Sequence, residues 1–191
     1  MFSPEYLEKI NSITLPNTKI KILQQLLQQV IADYKKTNKI KAMEFSERMK
    51  KLVEAYNNRH LDDFTTQVLD EVTKQLNDLL NDIKVDKEKF KALGISFEEK
   101  AFYDILVSCA KKFHFEGKIS NGKMKDLAKK VKALVDDKTR YTDWDQRIDV
   151  KAEMEADLMI LLDENGYPPE PFDEVYAEVF EQAENFKKYA N

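Results

Sequence analysis

At 191 residues, with 42% apolar and 35% charged side chains and only four glycines and five prolines, the chain can bury a sizeable core and is too regular and too hydrophobic to be a disordered tail. The lone Cys109 excludes an internal disulfide and fits a reducing cytoplasm, and no aliphatic run exceeds Leu158 to Leu162, far short of the roughly 20 apolar residues that a membrane span needs. The net charge of −4 hides segregation, because residues 1–60 hold 11 basic and 6 acidic side chains, residues 111–140 hold 10 and 4, and residues 141–191 hold 4 and 14, a pattern that suits oriented docking to a partner better than uniform polyanion binding.

The opening MFSPEYLEKI has no basic flank followed by an apolar stretch, so no secretory signal is expected. Ile20, Leu23, Leu27, Val30, Ile31 and Tyr34 recur at spacings of three and four, which predicts a helix beginning after Leu15-Pro16-Asn17. A second stripe, Ala42, Phe45, Met49, Leu52, Val53 and Tyr56, ends at Asn57-Asn58 and forms an antiparallel pair with the first. Leu61, Phe64, Val68, Val72, Leu76, Leu79 and Ile83 then predict a helix of nearly 30 residues that stops at Gly94. Ser96-Phe97-Glu98-Glu99 has the form of a capping box and restarts the chain as a helix with Ala101, Ile105, Cys109 and Phe113 on its buried face. Further helices are expected at about 123–136, 145–163 and 172–188, with Asp143 as a cap ahead of Trp144. Alternation at strand length is scarce. The fold class is all-α: an elongated bundle of seven or eight helices, as one body or as two lobes at 1–93 and 94–191.

Little of the chain offers chemistry. Gly117 to Met124 (GKISNGKM) has the spacing of a phosphate-binding loop, but Met124 stands where such a loop carries Ser or Thr, and the preceding KKFHFE completes a helical pattern where a strand is required. Glu98-Glu99-Lys100 matches a nuclease fragment, yet it falls on a helix start, where Glu99 has a capping role. His60 and His114 lie too far from each other and from any hydrolase motif to mark a zinc site or a nucleophile. Lys123, Lys125, Lys129, Lys130 and Lys132 form one face of a helix and could contact a DNA backbone, although a solvated lysine face explains the same letters. In the acidic tail, Tyr141, Trp144 and Arg147, and then Tyr167, Pro168 and Pro169, are candidate partner contacts because interfaces favour Tyr, Trp and Arg; packing inside the domain is the competing reading.

Five segments, taken together and in order, carry more information than any motif: KTNKIKAMEFSERMKKLVEAYNNR (36–59), SFEEKAFYDIL (96–106), YTDWDQR (141–147), DENGYPPEPFDEVY (163–176) and EVFEQAENFKKY (178–189). From about Ile20 onward the chain resembles the C-terminal helical region of the restriction subunit of type I restriction-modification systems. That subunit carries a nuclease domain, two RecA-like lobes that hydrolyse ATP, and a helical part that joins the motor to the methyltransferase and specificity subunits. The resemblance reaches only the helical part. It implies a non-catalytic docking module with no cofactor or metal of its own, since ATP and magnesium belong to the domains outside the match. The implied partners are the methyltransferase and specificity subunits, the motor of the same polypeptide and, through weak backbone contact, DNA. A sequence-independent DNA clamp is the alternative function, and an independent nuclease or nucleotidase activity ranks last.

Overall fold

The computed structural model describes residues 4–58, 65–140, 143–170 and 173–189. Among these residues there are eight α-helices and no strand: α1 Pro4–Asn11, α2 Pro16–Lys35, α3 Lys39–Asn57, α4 Thr66–Leu93, α5 Phe97–Lys112, α6 Asn121–Lys138, α7 Ile148–Glu164 and α8 Asp173–Tyr189. The short α1 has no counterpart in the sequence reading, and Leu61 and Phe64 of the predicted third stripe lie outside the described residues.

The chain divides into two compact units, Met1–Lys35 with Lys41–Lys87, and Lys36–Ile40 with Glu88–Asn191. In the first unit α2 begins with Pro16, whose fixed φ and missing N–H suit a first helical turn. It buries Ile20, Leu23, Leu26, Leu27, Val30, Ile31 and Tyr34, while α4 buries Leu69, Val72, Leu76, Leu79 and Ile83. A polar contact is sealed inside: Tyr34 Oη donates to Asp86 Oδ2 at 2.7 Å, and the Tyr34 ring stacks with Phe45 of α3. Arg48 of α3 pairs with Asp82 of α4 at 2.6 Å on the outside.

The second unit is an up-and-down bundle of α5, α6, α7 and α8. Helix α5 packs on α6 and α8, and α7 packs on the same two. Cross-links fix the directions: Lys132 to Glu98 joins the end of α6 to the start of α5, Lys138 to Glu153 joins the end of α6 to the first half of α7, and Lys151 to Glu184 joins the start of α7 to the end of α8. Short connections between antiparallel neighbours give this topology, with apolar stripes turned inward. The core holds Phe102, Leu106, Cys109, Leu127, Val131, Met154, Leu158, Val179 and Phe186 among others.

Three helix ends in this unit share one device. Helices α4, α5 and α7 each close with paired reverse bonds: Ile95 N to Phe90 O with Gly94 N to Lys91 O, Phe115 N to Ala110 O with His114 N to Lys111 O, and Tyr167 N to Leu162 O with Gly166 N to Asp163 O. These are Schellman motifs, which require a left-handed residue just past the helix. Gly94 (φ 68°) and Gly166 (φ 66°) fill that position at no steric cost, whereas His114 fills it with φ 59° despite its Cβ. The residue that follows turns inward every time, so Ile95, Phe115 and Tyr167 are all buried. Helix α5 begins with the full capping box: Ser96 Oγ accepts from Glu99 N at 3.0 Å, and Glu99 Oε2 accepts from Ser96 N at 2.7 Å.

A buried polar cluster pins residues 36–40 to this unit. Asp104 of α5 accepts from Asn38 Nδ2 at 2.6 Å and from Lys100 Nζ one turn earlier, and Gln182 of α8 accepts from Lys39 N and donates to Thr37 O. Lys100, Asp104, Asn38 and Gln182 are all buried. A buried pair is tolerated when neighbours take up its remaining hydrogen-bonding capacity, and Asn38 supplies one such bond to Asp104.

Candidate interaction surfaces

The aromatic corner of the acidic tail is part of the core. Trp144 lies in a 3₁₀ turn, Trp144–Gln146, and is 4% exposed. Asp143 heads this turn but makes no side-chain capping bond, which departs from its expected capping role; the turn closes through Gln146 N to Asp143 O at 3.0 Å. The α-helix consequently starts at Ile148, three residues beyond the expected start. Tyr167 is fully buried by the Schellman motif of α7, lies edge-on to Phe115 with centroids 5.4 Å apart, and donates from Oη to the Leu106 carbonyl at 2.6 Å. Burial, then the neighbouring Cys109 and Glu178, push its phenol well above the ordinary range. Pro168, reached through a cis peptide, is buried as well, and Pro169 is exposed. Arg147 is half-exposed and clamps Asp149 through Nε and Nη2 at 3.3 and 2.6 Å, and that bond holds the Asp149 carboxyl below its usual range. Tyr141 lies outside the described residues.

Cys109 belongs to the same buried layer. Its thiol is pushed up to about 12 by burial first and by Glu178 second, and Sγ donates to Glu178 Oε2 at 3.5 Å. A thiol held this high is almost entirely protonated at neutral pH and is a poor nucleophile.

The five candidate lysines of α6 divide. Lys125 Nζ donates to the Leu93 carbonyl at 3.1 Å and Lys130 Nζ to Asn165 Oδ1 at 2.7 Å, and Lys132 bridges Glu98 and Asp136 at 2.9 and 2.5 Å. The Asp136 and Glu98 contacts raise the Lys132 pKa and hold its charge in place. Lys123 and Lys129 are exposed and form no ion pair among the described residues. Ahead of them, the glycine-bearing segment forms the turn between α5 and α6: Gly117 adopts φ 85° and Ser120 Oγ caps α6 by accepting from Lys123 N at 3.3 Å. The preceding structure is the end of a helix, as the sequence suggested.

The outer face of α7 is the surface that the sequence reading missed. Ile148 is 84% exposed, Ile160 55% and Met159 37%, and Ala152 and Ala156 are exposed between them. A signal for it existed in the run Leu158-Met159-Ile160-Leu161-Leu162, because five consecutive apolar residues on a helix cannot all face one core. A depression of about 270 Å³ lies near the start of this helix, lined by Lys39, Trp144, Asp145, Lys151, Glu181, Glu184, Asn185 and Lys188. Its charges are largely answered within it, by Lys39 with Glu181 and Lys151 with Glu184. Among the described residues no group of three or more His, Cys, Asp and Glu side chains could hold a metal ion, and no helix is long and apolar enough to cross a membrane.

Fold and surface together define an all-α module whose polar chemistry is mostly spent on its own packing. The chain belongs to the family described as type I restriction enzyme HindI endonuclease subunit-like, C-terminal, whose model matches residues 1–189. It is 26% identical over 186 residues to the putative type I restriction enzyme MjaIXP endonuclease subunit of Methanocaldococcus jannaschii, covering 97% of this chain and 17% of that protein. It is 24% identical over 184 residues to the type I restriction enzyme HindI endonuclease subunit of Haemophilus influenzae, covering 96% of this chain and 16% of that one. The chain thus spans about a sixth of the length of these relatives. No solved structure matches it.

Proposed function

We propose that this helical region is a non-catalytic docking module of a type I restriction endonuclease subunit, joining a DNA-translocating motor to the methyltransferase and specificity subunits. The observation that carries the reading is the end-to-end match to a family defined as the C-terminal region of such subunits. The side chains that bear reactive groups support it. Cys109 and Tyr167 are buried with raised pKa values, Lys100 is sealed against Asp104, and Glu99 is committed to a cap. What remains outside is suited to adhesion: an apolar helix face and segregated charge, which favour and orient a protein contact.

Calorimetric titration of the folded chain into the cognate methyltransferase–specificity complex tests the reading. Saturable binding is expected at low salt, and no heat and no co-migration would refute it. The DNA-clamp alternative is weaker, since among the described residues only Lys123 and Lys129 of the five candidate α6 lysines form no side-chain bond to the rest of the bundle. Two phosphate contacts would give a log–log salt slope of only about −2.

A further inference from the structure

Helix α7 has an outward side that nothing in the described bundle covers. Ile148, Ala152, Ala156 and Met159 succeed one another at spacings of four, four and three, so they form one stripe along the helix, about 16 Å long at 1.5 Å per residue. The two alanines at its centre make a shallow saddle between the larger Ile148 and Met159, the shape that accepts the ridge of a crossing helix at close range. Glu155 borders the stripe on one side, Asp149 and Glu153 border it on the other, and Ile160 extends the apolar surface beyond them. The helix carries six carboxylates and one lysine, and that lysine, Lys151, faces Glu184 of α8. The cations next to the stripe are already engaged, Arg147 by Asp149 and Lys138 by Glu153 and Asp157, whereas Glu155 forms no ion pair among the described residues.

We infer that the outer face of α7 receives an amphipathic, positively charged helix of a partner subunit, with a Leu, Ile or Met stripe seated on Ile148, Ala152, Ala156 and Met159 and flanking Lys or Arg residues facing Glu155 and its acidic neighbours. Charge selects this occupant. A second copy of α7 would bring carboxylates against carboxylates, and a DNA backbone or an anionic lipid surface would meet the same repulsion, whereas a basic amphipathic helix satisfies both the apolar stripe and its rim. The inference rests on the docking reading above and names the surface that performs it.

The test uses the 191-residue chain and the cognate methyltransferase–specificity complex. Ile148→Glu combined with Met159→Glu changes two exposed positions, and far-UV circular dichroism is expected to match that of the unmodified chain. Affinity for the complex is expected to fall at least tenfold. Glu155→Lys is expected to weaken binding about threefold at low salt and less at high salt, because a screened rim charge acts mainly through long-range attraction. Lys123→Glu with Lys129→Glu on α6 is expected to leave affinity within twofold. If the unmodified chain binds and the α7 double variant binds within twofold of it, this surface assignment is overturned and the docking function survives. If the unmodified chain does not bind, both fall. Sedimentation showing a dimer of the chain that the α7 variant dissolves would assign the face to a second copy and overturn the proposal.

Discussion

The aromatic corner and the outer face of α7 occupy one four-helix bundle, a few residues apart in sequence, and their exposures run opposite to their composition. Trp144 and Tyr167 sit among Asp, Glu and Pro residues yet are buried, while Ile148, two residues past an acidic 3₁₀ turn, stands almost wholly in solvent. A side chain's neighbours in sequence therefore say little about its burial. What decides is where the helix end aims it, and at this corner the ends aim the rings inward.

The widest separation between the two regions should appear on truncation. Trp144→Ala removes a large buried ring and is expected to cost about 3–5 kcal/mol in urea unfolding, whereas Ile148→Ala should stay within about 0.5 kcal/mol, as exposed positions do. Equal effects would break the contrast. A finer cut is Tyr167→Phe, which keeps the ring and deletes the donor to the Leu106 carbonyl. The Leu106 carbonyl lies in the interior of α5, so this is a second bond to a helical acceptor; its loss is expected to cost about 0.5–1.5 kcal/mol, and a neutral result would mean that packing alone holds the corner.

A third substitution tests the shared helix ending. His114 occupies the left-handed position that Gly94 and Gly166 fill elsewhere, so His114→Gly is expected to raise stability by about 1 kcal/mol, read as an increase in the urea midpoint at unchanged m-value. The smallest effect concerns Asp136, which accepts from Lys132 of its own helix and Lys187 of α8. Burial opposes its ionisation, but the Lys132 and Lys187 hydrogen bonds prevail and hold its pKa below the ordinary 3.8. A depressed carboxylate adds stability that is present above about pH 3.8 and fades as the pH falls through the lower folded-state value. The Asp136 side chain keeps more than a third of its surface in solvent, so screening holds this below about 1 kcal/mol. Asp136→Asn should therefore match the unmodified protein at pH 2 and trail it slightly at pH 7.

Much of this architecture is legible in the letters. Ser96 with Glu99 specifies a helix start by itself, because the two side chains satisfy backbone donors three residues away and need nothing from the rest of the protein. Gly94 and Gly166 mark helix ends for an equally local reason, and the stripes of α2, α4 and α6 follow from the period of the helix. The candidate surfaces were harder to read. The α6 lysines look alike in sequence, yet Lys125 reaches a carbonyl of α4, Lys130 an asparagine beyond α7 and Lys132 a glutamate of α5.

The sequence alone determined the all-α class, most helix boundaries and the family, since each depends on contacts within a few residues of the chain or on an ordered set of segments. Which faces stayed open was decided only by the tertiary structure. Exposure of Ile148 and Met159, burial of Trp144 and Tyr167, and the capture of Asp104 by Asn38 depend on which distant neighbours arrive, 61 positions away for Tyr167 on Leu106 and 66 for Asn38 on Asp104, and the periodicity of a helix does not contain that information.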